Sequence, residues 1–175
     1  MKSGDRPIPG SYWVLPGKFL AGEYPGAFDS NVTRSNMTAF LNAGFDTFIN
    51  LTGENELPDY ASILNEESKY FEHPVFQKRF SITDRGLPSR DKMISILDYI
   101  DQMLVDSHKI YLHCWGGIGR TGTTVGCYLV RAGLSGVEAL EKLAGIYGTS
   151  SQSKFFSHSP ETQSQIDFIL NWHEY

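Results

Sequence analysis

The sequence is short of cysteine, of positive charge and of long apolar runs. Cys114 and Cys127 are its only thiols. Two cysteines do not make a disulfide framework in a chain this long, and they suit a reducing compartment. No stretch approaches the roughly 20 apolar residues of a membrane-spanning helix. Met1 to Gly10 carries charges and two prolines but no apolar run, which predicts no signal peptide. Lys and Arg together number 15 against 20 Asp and Glu, a formal net charge of −5. Such a chain lacks the basic face that sequence-independent nucleic-acid binding needs, although a local pocket on it can still be positive. His73, His108, His158 and His173 show no metal-ligand spacing with cysteine or with one another. No internal repeat, low-complexity tract or charge block is found. The expectations are therefore a cytoplasmic monomer with no nucleic-acid partner, no membrane partner and no metal.

What is present is ordinary globular material. Of 175 residues, 41% are hydrophobic and 20% charged, enough for one core without a disulfide or metal staple. One domain over residues 1–175 is expected, with residues 1–10 as a flexible tail. Tyr12–Leu15 and Lys18–Gly22 read as strands around the turn Pro16-Gly17. Ser30 or Asn31 is placed to cap a helix running to about Asn42 and stopped by Gly44. Asp46–Leu51 reads as a buried strand, Pro58–Lys69 as a short helix and Lys69–Glu72 as another strand. Ser89 caps a helix on which Met93, Ile96, Leu97, Ile100 and Leu104 recur at helical spacing. Lys109–His113 is a strand by composition, and helices follow from Arg120, near Ser135–Tyr147 and near Glu161–Trp172. Strands alternating with helices predict an α/β fold: a central, mostly parallel sheet of four to five strands flanked by helices.

The chemistry concentrates where one of these strands runs into a helix. Cys114-Trp115-Gly116-Gly117-Ile118-Gly119-Arg120 places a cysteine and an arginine around a glycine-rich loop. Successive backbone N–H groups of such a loop turn inward as an anion nest, and the following helix points its N-terminal dipole at the same place. A nest that binds phosphate also favours a thiolate, the nucleophilic form of cysteine. Arg120 offers a planar fork that grips two phosphate oxygens. The hydroxyl of Thr121 is placed to donate to the sulfur, and His113 to orient the loop. The plain alternative is a buried cysteine at a strand end beside a capping arginine.

With His113 before it and Thr121-Gly122 after it, this loop resembles the His-Cys-x5-Arg-Ser/Thr-Gly signature of the protein tyrosine phosphatases. Gly-Ile-Gly-Arg is close to the tyrosine-specific members. The chain length is more similar to the dual-specificity group and its bacterial relatives. The resemblance implies a phosphomonoester hydrolase acting through a cysteinyl-phosphate, without a cofactor. Catalytic roles fall on Cys114, Arg120 and Thr121, with His113 in support, and substrate contacts on Trp115, Gly116, Gly117, Ile118, Gly119 and Arg120. It also implies a general acid on a mobile loop, and Asp84-Arg85-Gly86-Leu87-Pro88 resembles that loop, with Ile82-Thr83 where tyrosine phosphatases usually carry Trp-Pro. Asp84 is the candidate acid; its alternative is a turn residue. Ser159-Pro160-Glu161-Thr162-Gln163-Ser164-Gln165 is similar to the glutamine loop that positions the hydrolytic water. Glu161 departs from its first glutamine and Gln165 keeps the second; the same stretch is also good helix-start chemistry.

Cys127, mid-helix among Val125, Tyr128 and Leu129, reads as a packed thiol rather than a redox partner. Glu54–Tyr60 follows a strand end, where it lines the substrate cleft, with Tyr60 on a phenyl ring, or forms a solvated loop. The Cys114 loop carries no lysine, whereas relatives that handle several phosphates tend to place cations there. A singly phosphorylated group is expected: phosphotyrosine in a protein or peptide first, phosphoserine and phosphothreonine close behind. An inositol phosphate, or a phosphotyrosine-binding module of little turnover, stands as the alternative.

Overall fold

The computed structural model describes residues 6–72 and 74–175. Met1–Asp5 and His73 lie outside them. The strands are β1 (Ser11–Leu15), β2 (Phe19–Gly22), β3 (Thr47–Asn50), β4 (Phe76–Arg79) and β5 (Ile110–His113). The helices are α1 (Ser30–Asn42), α2 (Ala61–Ser68), α3 (Arg90–Val105), α4 (Gly119–Arg131), α5 (Gly136–Tyr147) and α6 (Gln163–Leu170). The five strands form one sheet in the order β1-β2-β5-β3-β4, antiparallel at β1–β2 and parallel elsewhere. This is the α/β architecture expected from the alternation of strands and helices.

Period-two alternation along the strands sorts the core into two layers. Phe19, Ala21, Ile49, Ile110 and Leu112 face α3–α6, while Leu20, Phe48 and Tyr111 face α1 and α2 with Met37, Phe40 and Leu64. Helix α4 is covered almost all round, from Gly119 to Leu129. Its close approach to α6 requires a glycine: a Cβ at Gly126 would stand 2.3 Å from Ile169 Cδ1. Cys127 is fully buried on this helix and burial raises its thiol far above the ordinary range, the behaviour of a packed thiol.

Four boundaries move. The cap of α1 is Asp29, whose carboxylate accepts from Asn31 N, rather than Ser30 or Asn31. Helix α2 starts at Ala61, later than Pro58. Lys69–Glu72 is a turn, not a strand, and Tyr70 is exposed. The ladder takes up Phe76–Arg79 instead, an edge strand whose Gln77-Lys78 centre carries no apolar signal. Finally, α6 is capped by Thr162 in a reciprocal capping box with Gln165, so Ser159 is not its cap. Within the stretch expected as a tail, Ile8 is buried in the core and Arg6 donates to the carbonyl of Thr149.

The parallel strands end in register. Gly22 and Asn50 both lie opposite His113, the last residue of β5. The loop leaving β5 therefore emerges at the centre of the carboxyl edge of the sheet, where α/β sheets place their ligands.

Candidate active site

That loop is Cys114–Ile118, and the carbonyls of Cys114, Trp115 and Ile118 are tied to the surrounding structure. Cys114 O accepts from His113 Nδ1 at 3.1 Å and Trp115 O from Tyr24 N at 2.7 Å. Ile118 O accepts from Ser159 Oγ at 2.7 Å, Gly119 O from Thr123 Oγ1 at 2.8 Å and Arg120 O from Thr124 Oγ1 at 3.0 Å. The N–H groups from Trp115 to Arg120 donate to no backbone or side-chain acceptor among the described residues. Ile118 caps α4 without a side-chain bond, so the helix's first donors stay free as well. Buried unpaired N–H groups are rare in proteins, and a ring of them at a helix N-terminus is an anion site. The turn depends on Gly117, at φ 72°, whose missing Cβ would stand 2.3 Å from the carbonyl carbon of Gly22.

Each candidate residue from the sequence lies at or beside this ring. Cys114 is buried at its start. Arg120 is one of the most deeply buried large side chains in the molecule. Its Nη1 and Nη2 donate to Glu56 Oε2 at 2.9 Å and Oε1 at 2.7 Å, a fork-to-fork pair, and Nη1 also reaches Ile82 O at 3.1 Å. Asp84 Oδ1 lies 2.9 Å from Nη2. Glu56 takes the two end-on N–H groups and Ile82 O the other Nη1–H, leaving Nε–H and one Nη2–H as the side-on fork, the latter beside Asp84. Desolvation is the largest single influence on Arg120 and opposes its charge, but the bond to Glu56 together with the neighbouring Cys114, Glu56 and Asp84 raises the guanidinium overall. Reciprocally, the bond from Arg120 holds the Glu56 carboxyl below the ordinary carboxylate range.

His113 is fully buried, and burial pushes its imidazole down to about 3. It is therefore neutral: Nδ1–H donates to Cys114 O, and Nε2 accepts from Tyr60 OH at 2.8 Å. Tyr60 is thereby buried behind the loop as a support for His113, not a platform for a substrate ring. The Thr121 hydroxyl is buried at the head of α4 with no partner among the described residues. Gln165 spends its carbonyl on Glu161 N and Thr162 N, both 3.1 Å, and its amide donates to Gly86 O at 3.3 Å. It thus joins the acid loop to α6, and a Cβ on Gly119 would stand 3.1 Å from Gln165 Nε2.

A cleft of about 350 Å³ lies along the loop, lined by Glu23, Asp84, Trp115, Gly116, Ile118, Gln152, Phe156 and Glu161; Cys114 and Arg120 are not among its walls. Trp115 and Phe156 stand as half-exposed walls. A larger cavity of about 800 Å³, lined by Asn50, Glu56, Tyr60 and Arg79 among others, does not include the Cys114 loop in its walls. Sequence reasoning missed Glu56, Ser159 and Tyr24. None sits near Cys114 in the chain; the position of Glu54–Tyr60 after a strand end and the resemblance of Ser159–Gln165 to the glutamine loop were signals for Glu56 and Ser159, but neither gave the role.

The parallel sheet, with a buried cysteine and arginine on the loop at its carboxyl edge, marks a member of the protein tyrosine phosphatase superfamily. A family model described as polymorphic toxin system, DSP-PTPase phosphatase matches residues 26–134, and the chain belongs to that family. It is 33% identical over 102 residues to protein tyrosine phosphatase domain-containing protein 1 of Mus musculus, covering 53% of this chain and 13% of that protein. It is 28% identical over 165 residues to a putative tyrosine phosphatase of Invertebrate iridescent virus 6, covering 94% of this chain and 53% of the viral protein. The chain thus spans from about an eighth to about half the length of these relatives. Three solved structures share the fold. Kinase associated phosphatase, with its catalytic-site cysteine changed to serine, gives a TM-score of 0.72 at 18% identity, covering 89% and 88% of the two chains. PTPMT1 in complex with PI(5)P gives 0.68 at 21%, covering 92% of each. TpbA of P. aeruginosa in complex with pTyr gives 0.60 at 14%, covering 97% and 95%.

Proposed function

We propose that the chain removes phosphate from phosphotyrosine in proteins through a cysteinyl-phosphate intermediate. The observation that carries this reading is the run of unpaired amides from Trp115 to Arg120 among the described residues, with Cys114 at its start. Three phosphate oxygens take up those amides, and the side-on fork of Arg120 holds two of them. The sulfur of Cys114 attacks phosphorus and the P–O bond to the phenol breaks. Phosphate on Nη2 displaces Asp84 from Arg120 towards the leaving oxygen, to which Asp84 gives its proton. In the second step a water attacks phosphorus, its proton returns to Asp84, and the sulfur leaves as thiolate. The free hydroxyl of Thr121 is the donor that eases that departure. His113, Glu56 and Ser159 position these groups without touching the substrate. Gln165 stands beside Gly119 with its carbonyl and one amide N–H engaged, and its second amide N–H is the group that orients the water.

The choice of phosphotyrosine rests on the cleft. Its walls are aromatic, Trp115 and Phe156, and no lysine, arginine or histidine is among its lining residues. A ring with several phosphates would set its further charges against Glu23 and Glu161, where Arg85 is already paired with Glu161. Among the fold neighbours, one was solved with pTyr and another with PI(5)P. A turnover panel of phosphotyrosine peptide, phosphoserine peptide, p-nitrophenyl phosphate and inositol phosphates tests the reading. The phosphotyrosine peptide is expected to give the highest kcat/KM, and Cys114→Ser to abolish turnover while still binding it. Faster hydrolysis of an inositol phosphate would replace phosphotyrosine by that class; turnover by Cys114→Ser would remove the covalent step.

A further inference from the structure

Beyond the phosphate and the ring, we infer that this site selects a peptide in which lysine or arginine flanks the phosphotyrosine, received by Glu23 and Glu161. The inference rests on the phosphatase reading above and concerns what surrounds the phosphate. The cleft brings three carboxylates to its walls, Glu23, Asp84 and Glu161, and no cation. Asp84 is engaged at Arg120, 2.9 Å away, and serves the leaving oxygen. The other two have no such employment. Glu23 is fixed in place: its carboxylate accepts from Gln152 Nε2, its N–H donates to Gly10 O at 3.0 Å and its carbonyl accepts from Tyr111 OH. Glu161 faces Arg85 at 3.5 Å, but the Arg85 side chain is 65% exposed, and so open a pair leaves the carboxylate available.

The ground beside Glu23 is shaped for a chain rather than for a small ester. A second groove of about 410 Å³ shares Glu23 and Trp115 with the cleft and continues between Phe28, Val32, Leu57 and Pro58. Phe28 is 92% exposed and Val32 46%, so this groove offers apolar contact to a segment leaving the cleft past Glu23. An acidic flank there would meet Glu23 or Glu161 at close range, whereas a basic one pairs with them. Exposed pairs are individually weak and screened by salt. Two of them, with repulsion replaced by attraction, give a preference of roughly tenfold between basic and acidic flanks at low ionic strength.

The test compares phosphotyrosine peptides of equal length with arginine, alanine or glutamate on both sides, together with free phosphotyrosine and p-nitrophenyl phosphate. For the parent protein at low salt, kcat/KM is expected to rank arginine over alanine over glutamate, spanning roughly tenfold and converging at about half-molar salt. The arginine peptide is also expected to have a lower KM than free phosphotyrosine. Glu161→Gln and Glu23→Gln should each narrow the arginine-to-glutamate ratio, which is read instead of the absolute rate. Equal kcat/KM for the arginine and glutamate peptides, or a salt-independent ratio, overturns the inference while turnover of p-nitrophenyl phosphate leaves the phosphatase reading standing. Absence of turnover on every substrate would overturn both.

Discussion

Glu56→Ala is the change that most directly tests how Arg120 is held. Glu56 takes both end-on N–H groups of the guanidinium at 2.9 and 2.7 Å, and the Arg120 side chain is 1% exposed. A hydrogen bond to a charged group contributes about 1.5–3 kcal/mol. Two would sum to more, but the Glu56 side chain is 22% exposed and Arg120 keeps Ile82 O and Asp84, so the loss is discounted. A loosening of about 1.5–3 kcal/mol at the phosphate grip remains, or roughly 10- to 100-fold in kcat/KM on a phosphotyrosine peptide. Glu56→Gln, which keeps one acceptor but loses the charge, should fall between. The decisive assay is a double-mutant cycle with Arg120→Lys. Lysine presents no fork, so Glu56→Ala should have little further effect in that background. Urea unfolding of each variant separates a misplaced arginine from a misfolded chain. A folded Glu56→Ala within twofold of the parent, or an equal fold-loss in both backgrounds, would refute the claim that Glu56 acts through Arg120.

Two more expectations concern the supports of the loop. The His113 imidazole is depressed to about 3 by burial, so between pH 6.5 and 3 the unfolded chain binds a proton that the native chain does not. Stability contributed by neutral His113 is therefore present above the unfolded value and lost as pH falls, by about 1.4 kcal/mol per pH unit from this group; urea midpoints at pH 6, 5 and 4 should show the slope, and a His113→Gln variant of unchanged slope would refute the assignment. For Thr121→Val, the second step should slow about tenfold, so that cysteinyl-phosphate accumulates and the burst of p-nitrophenol grows; an unchanged burst would mean that the unpaired Thr121 hydroxyl does nothing for the departing sulfur.

The sequence by itself determined the sheet's central strands, the long helices and the loop Cys114–Arg120, because those signals are local. Short apolar, β-rich runs mark β3 and β5, helical spacing marks α3, and glycines with a cysteine and an arginine mark the nest within a few residues of chain. Asp84 was legible only through the resemblance of its loop; its place 2.9 Å from Arg120 is a fact of folding. The edge strand Phe76–Arg79 escaped because edge pairing is decided by the neighbouring strand and demands no apolar pattern. Glu56 and Ser159 escaped for a related reason. Glu56 lies 64 residues from Arg120 and Ser159 41 from Ile118 along the chain, and nothing near either says which buried donor or carbonyl it will meet. Only tertiary structure decided which carboxylate holds the arginine, that Tyr60 supports His113 behind the loop, and that Glu23 and Glu161 stand uncovered at the mouth. Hydrogen bonds between distant segments carry no periodicity, and their partners are fixed only when the sheet brings the carboxyl ends of its strands together.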